Sequence, residues 1–218
     1  DITFVDAEKY YDKALNSQAS VIIIDQEPPA NLNNKPLLIH PKPFDAYNGL
    51  IDLFRPFNIP HNTGSEIENI HPTAKLGMNV IIGSNVQIGA ETIIYPNVVL
   101  YDNVHIGSHC IIHSGSIIGV DAFYYKKEKN NYRKWTSGGR VILHDRVEIG
   151  AMCSIAKGVS GDTIIGTGSK LDAQVHIGHG VEIGRNCLIA AQVGIAGKTT
   201  IGDNVTIYGQ VGIAQNLQ

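Results

Sequence analysis

Tryptophan occurs once in the 218 residues and cysteine three times. Three widely spaced thiols, Cys110, Cys153 and Cys187, supply neither the even count of a disulfide framework nor a CxxC metal motif. Basic charge is also scarce. With 17 Lys and Arg against 20 Asp and Glu the formal net charge is −3, which excludes a globally basic nucleic-acid binder and confines any polyanion contact to a local patch. No apolar run approaches the roughly 18 residues of a membrane span, and Asp1 to Asp6 lack the basic-then-apolar layout of a signal peptide. The expectation is no membrane span and a cytoplasmic location. No Gly-rich turn follows a strand, so a dinucleotide fingerprint is missing too.

What the chain has is a repeat. Aliphatic residues recur every six positions from Ile70 through Leu76, Ile82 and Ile88 to Ile118, resume at Leu143, Ile149 and Ile155, slip by four residues around Gly158 to Gly161, and run on from Ile165 to Ile213. The next residue is repeatedly glycine (Gly77, Gly83, Gly89, Gly107), which suits a sharp corner without room for side-chain bulk. The fifth place is small or β-branched, and all three cysteines fall there. Two inward positions per hexad, one long and one small, describe a prism of short parallel strands with three hexads per coil. The fold expected is therefore mainly β, a left-handed parallel β-helix (hexapeptide repeat) preceded by a small α/β domain.

The division expected is a small α/β domain over 1–58, a linker over 59–69 carrying Pro60 and Gly64, and the β-helix over 70–218 with an inserted loop at about 120–141. Within the first part, Ala19 to Asp25 and Pro36 to Ile39 read as strands, while Glu8 to Leu15 and Ala46 to Phe54 read as helices. The inserted loop sets Lys126, Lys127, Lys129, Arg133 and Lys134 among Tyr124, Tyr125, Tyr132 and Trp135. It reads either as a solvated loop tip or as a contact for phosphates or for an acidic carrier protein. At the outward sixth place, Ile81, Val99 and Ile117 stack on one face, Ile93 and Ile111 on another, and Gln87 and His105 on the third. Two apolar faces and one polar one suit a homotrimer.

Most of the nine histidines read as surface residues, and His105, His109 and His113 fall at unlike repeat positions, so no metal site is expected within one chain. His176 and His179 stand out in LDAQVHIGHGVEIG, which is followed by AAQVGIAGKTTIG. These strings look like the acyltransferases that N-acylate UDP-3-O-acylglucosamine in lipid A synthesis. The opening DITFVDAEKYYDKALNSQASVIII resembles the same family's uridine-binding domain. The resemblance implies a transferase that moves a 3-hydroxyacyl chain from the 4'-phosphopantetheine of acyl carrier protein to the amine of a UDP-amino sugar, with no bound cofactor and with the carrier as partner. His179, on an outward corner, is implied as general base, with Asp172 to support its imidazole. Gly197, 18 residues on and so at the same corner of the next coil, is implied as oxyanion donor. Phe44 and Tyr47 resemble the uracil-stacking region, with Lys42 beside them and His176 as a further substrate contact, although core packing explains the two aromatics equally well. The chain departs from the family pattern at Ala173, Gly180 and Asn216, and its Asp-Gly-Phe-Gly turn reads Asp121-Ala122-Phe123-Tyr124. A second reading follows, of a catalytically silent trimer that binds a nucleotide sugar or scaffolds other enzymes.

Overall fold

The computed structural model describes residues 1–28, 35–56, 59 and 69–218. The chain divides into two compact units, Asp1–Phe57 and Asn58–Gln218. All but residues 59 and 69 of the expected linker lie outside the described residues, as does His61.

The first unit is a three-stranded parallel sheet in chain order, β1 (Ile2–Val5), β2 (Val21–Ile24) and β3 (Leu37–Ile39). A short 3-10 turn at Glu8–Tyr10 leads into α1 (Tyr11–Leu15), and α2 spans Pro43–Phe54. Strand β1 went unread in the sequence because ITFV is too short and too mixed in polarity to show a period of two. Helix α2 starts three residues before the apolar spacing suggests, because Pro43 at its first turn brings a preset φ and needs no amide partner.

The second unit is a parallel solenoid with three faces. The first face has seven strands, from Lys75–Leu76 to Thr206–Ile207. The second has seven, from Ile81–Ile82 to Gly212–Ile213, and the third six, from Gln87–Ile88 to Thr200–Ile201. The first place of each hexad fills the interior: Ile94, Leu100, Ile112, Ile118, Ile155 and Ile177 are all fully buried. Each such side chain contributes about 1.5–3 kcal/mol relative to exposure, which offsets the ordering of the short strands.

The fifth place does more than fill space. Thr92 Oγ1 donates to the carbonyl of Gly107 at 2.8 Å and accepts from Cys110 N at 3.0 Å. Ser116 does the same with Gly150 O and Cys153 N, and Ser169 with Gly184 O and Cys187 N. The thiols of Cys110, Cys153 and Cys187 each donate to a carbonyl at 3.1 Å. Threonine, serine and cysteine thus share this slot because a small donor there satisfies a corner carbonyl of a neighbouring coil. Burial raises the thiols of Cys110 and Cys153 and keeps them protonated for the task.

One sequence expectation holds here and one is corrected. The glycines after the aliphatic serve close approach, as their lack of side-chain bulk suggests: a Cβ on Gly89 would lie 2.6 Å from the carbonyl carbon of Gly107. The positive φ belongs to the fourth place, for example Asn85 (55°), Asn103 (61°), Gln192 (62°) and Lys198 (57°), where asparagine is frequent because it tolerates this region best after glycine. The third face is not uniformly polar. Gln87 pairs in register with His105, His105 with Ile142, and Ile142 with Ile164, so its middle coils are apolar.

The regular spacing of 18 residues breaks twice, both times between the second and third faces. The insertion leaves after Ile117–Val120 through Gly119 (φ 90°), forms the antiparallel hairpin Tyr125–Lys127 and Tyr132–Lys134, and returns at Val141–Leu143. The four-residue slip falls between Ala156 and Thr163, where Gly139 N bonds to Gly158 O and Arg140 forks onto Asp162. Registers of Ile117 with Ser154 and of Ser154 with His176 keep the core in phase on either side.

Candidate active site

His179 and Gly197 occupy this same corner, between the second and third faces, one coil apart. The strand His176–Ile177 pairs in register with Gly194–Ile195, which carries the two loops alongside each other. A Cβ on Gly197 would meet His179 Nε2 at 2.5 Å, so the imidazole lies directly against that glycine. The Ala196 and Lys198 amides are bonded to Ile213 O and His179 O, whereas the Gly197 N–H between them enters no hydrogen bond among the described residues. The loop under the imidazole is tied down by buried Thr163, whose hydroxyl donates to Ala156 O at 2.7 Å and accepts from Gly180 N at 2.8 Å.

His179 is 7% exposed, and its Nδ1 is buried without a hydrogen-bond partner among the described residues. Burial, and then the Lys198 ammonium, push its pKa below the ordinary histidine value, so the imidazole is neutral at pH 7. A neutral, dry imidazole with an uncommitted nitrogen is a competent proton acceptor. It borders a cavity of about 620 Å³ whose floor is small: Gly178, Gly194, Ala196, Gly197, Gly212 and Ala214. Above the floor stand Tyr124 and Phe123 from the insertion.

The other expected site residues are distributed as follows. His176 is exposed, projects from the second face and borders the cavity with His179. Asp172 does not reach His179 within the chain. It sits one hexad earlier, at the corner that ends the first face, accepts a bond from Ala173 N at 2.7 Å, and lines a second cavity of about 640 Å³. That cavity also holds His113, stacked on Tyr95 with centroids 4.9 Å apart and bonded to Glu148 at 3.2 Å. Phe44 and Tyr47 are 2% and 7% exposed, packed on Phe4 at 5.8 and 5.1 Å, so the packing alternative holds and neither ring offers an open face to a base. Lys42 is exposed just before α2, its N–H bonded to His40 Nδ1. The basic hairpin is partly neutralised: Lys134 pairs with Asp121 and Arg133 with Glu128. No group of three His, Cys, Asp or Glu side chains among the described residues is arranged to hold a metal, and no described helix is long and apolar enough to cross a membrane.

Sequence reasoning missed Tyr124, Lys198 and Thr163. Thr163 sat in the irregular slip, where no hexad position was assigned. The fourth-place rule now found for the corners would have put Lys198 beside His179.

Residues 85–119 and 162–197 match the family described as bacterial transferase hexapeptide (six repeats). A UDP-3-O-acylglucosamine N-acyltransferase of Coxiella burnetii is 34% identical over 220 residues, covering 87% of this chain and 62% of that protein. One from Rhizobium johnstonii is 49% identical over 84 residues, 38% of this chain and 24% of its own length. Among solved structures, the UDP-N-acetylglucosamine O-acyltransferase of Moraxella catarrhalis matches with a TM-score of 0.55 at 32% identity, over 68% of this chain and 61% of that one. The UDP-N-acetylglucosamine acyltransferase of Francisella novicida matches with a TM-score of 0.58 at 29% identity, over 67% and 54%. These neighbours are left-handed β-helices.

Repeat and coil are those of the bacterial transferase hexapeptide family, and the chain is similar to the acyltransferases it matches. Among them it is a homologue of the UDP-3-O-acylglucosamine N-acyltransferases, and it spans 62% of the length of the Coxiella relative.

Proposed function

We propose that the protein transfers a 3-hydroxyacyl chain from the phosphopantetheine thioester of acyl carrier protein to the amine of a UDP-3-O-acylglucosamine, in lipid A synthesis. The observation that carries this reading is the placement of a buried, neutral imidazole, His179, against the uncommitted amide of Gly197. The sugar amine attacks the thioester carbonyl while His179 removes its proton. The oxyanion that forms accepts a hydrogen bond from Gly197 N–H. Collapse breaks the C–S bond, and the imidazolium returns the proton to the departing thiolate, leaving an amide and a free thiol. The stack of small residues from Gly194 to Gly212 provides a shallow trough for the acyl chain beside the reacting carbon.

The assembly in this reading is a homotrimer. The His179 cavity opens on the second face and the Asp172 cavity on the first, so one subunit offers each of its neighbours a different flank. Packed in this way, Asp172, Lys170 and Glu148 of one copy face the His179 cavity of another, which restores a support for the imidazole that the single chain lacks. The first unit is assigned the uridine end of the sugar nucleotide, through surfaces other than the buried rings of Phe44 and Tyr47, with Lys42 at its exposed rim. A cytoplasmic location follows from the substrates.

The test is acyl transfer with 3-hydroxyacyl carrier protein and UDP-3-O-acylglucosamine at saturating donor. Wild-type protein should turn over, and His179→Ala should lose roughly 10²–10⁴ in kcat, the usual contribution of a positioned base. His176→Ala, on the open side of the cavity, should change KM more than kcat. Absence of turnover in the wild type, with the UDP-sugar still bound, would favour the silent scaffold.

A further inference from the structure

The insertion meets the imidazole of the reacting corner through Tyr124. Its base is anchored on both sides: Asp121 pairs with Lys134 within the insertion and with Lys157 of the coil at 3.0 Å, and Ala122 N donates to Ser137 Oγ at 3.1 Å. Next to this anchor, Tyr124 O accepts from Trp135 N at 3.0 Å, and the two rings pack with centroids 5.0 Å apart. So supported, the Tyr124 ring meets the His179 imidazole edge to face, with centroids 4.9 Å apart at 61°. The Lys198 ammonium lies 5.5 Å from the same ring's centroid. One aromatic ring therefore touches both the imidazole and the cation nearest to it.

We propose that Tyr124 is a positioning residue for His179: its ring fixes the imidazole over Gly197, closes that side of it to water, and holds the Lys198 ammonium beside it. The proposal rests on the assignment of His179 as base. Edge-to-face packing contributes about 0.5–1.5 kcal/mol and a cation over a ring about 0.5–1 kcal/mol when exposed, enough to select one orientation of a ring whose Nδ1 has no hydrogen-bond partner among the described residues. The tyrosine hydroxyl plays no part; the ring does. The charged and titratable groups around His179 are Lys198 on the following coil, Lys157 on the preceding one, Asp121 and Tyr124 on the insertion, and His176 on its own strand. Asp121 is shared by Lys157 and Lys134, and His176 is exposed on the open side of the cavity. Burial by the ring and the Lys198 charge remain as the influences that depress the imidazole's proton affinity.

Two measurements test this on the full chain. In the NMR titration of the His179 ring, Tyr124→Ala should move the midpoint upward towards that of an ordinary histidine, because water reaches the ring and Lys198 is released from its side. Tyr124→Phe should leave the midpoint where it is in the wild type. In the acyl-transfer assay, Tyr124→Ala should lower kcat by about 10- to 100-fold with KM within a few-fold, while Tyr124→Phe stays close to wild type. An unchanged His179 midpoint in a folded Tyr124→Ala protein overturns the proposal, as does a Tyr124→Phe enzyme as slow as Tyr124→Ala. Failure of the base assignment shows separately, as turnover that persists in His179→Ala, and the NMR titration is independent of turnover.

Discussion

The imidazole of His179 rests against the α-carbon of Gly197, one coil away, so closely that a methyl group there would stand 2.5 Å from Nε2. Gly197→Ala therefore has to displace the ring it faces. The variant should fold, since the displaced group is a side chain rather than a neighbouring backbone, yet lose about 10²–10³ in kcat as the base and the oxyanion donor move apart. Thermal melting alongside turnover checks this. A kcat within a few-fold of wild type would show that residues 179 and 197 do not act at one point.

The pH dependence follows from the depressed pKa of His179. In the unfolded chain the ring protonates near 6.5, whereas the folded protein resists protonation until a lower pH. Between those two values the unfolded state binds more protons, so stability falls as pH drops through that window and is unaffected by this group above it. Turnover should be level through neutrality and decline only on the acid side of the ordinary histidine value. A rate profile with its midpoint at or above 6.5 would contradict the burial seen here.

Asp121 ties the insertion to the coil. Burial alone would raise its pKa, but Lys134 and Lys157 outweigh that and hold the carboxyl below the ordinary range. Its stabilising effect is complete above about 3.9 and is lost as pH falls through the lower folded value. Asp121→Asn leaves the Lys157 side chain, 13% exposed, without its carboxylate and should cost roughly 1–3 kcal/mol in denaturant unfolding. Loss of the salt-bridge anchor should also make the hairpin more open to limited proteolysis. An unfolding midpoint equal to wild type would remove Asp121 from this role.

Ile81, Val99 and Ile117 stack on the second face, with Ile81 36% and Ile117 38% exposed in the single chain. In a trimer they are covered. Val99→Glu should place an unpaired charge in that contact and dissociate the assembly, which light scattering at micromolar concentration would register as a fall from three copies to one. A wild-type protein that scatters as a monomer would refute the trimer outright.

The coil was legible in the sequence because each interior position repeats with a fixed period, and the structure's register follows the sixes from Leu76 to Ile213. The outward corner of His179 and the match of Gly197 one coil on were legible for the same reason: spacing in the chain translates directly into stacking in space. Within one chain Asp172 lies apart from His179 because nearness in sequence does not survive a corner; seven residues along the chain cross from one edge of the prism to the next. Phe44 and Tyr47 look like binding aromatics in a string, and only the presence of Phe4 on the adjacent strand makes them core. Tyr124 was hidden in a loop whose path no periodicity describes.

Both departures from the 18-residue spacing fall on the corner that carries His179, where 37 residues separate Ile117 from Ser154 and 22 separate Ile142 from Ile164, while the other two corners stay unbroken. Extra chain added at this edge is looped outward and the ladder resumes in phase, so the interior does not register the addition. A solenoid of this kind separates the part of the sequence that must stay metronomic from the part that can be rewritten. New side chains can be delivered to the reacting corner from an appended loop, as Tyr124 is, without altering a single residue of the hydrophobic stack behind it.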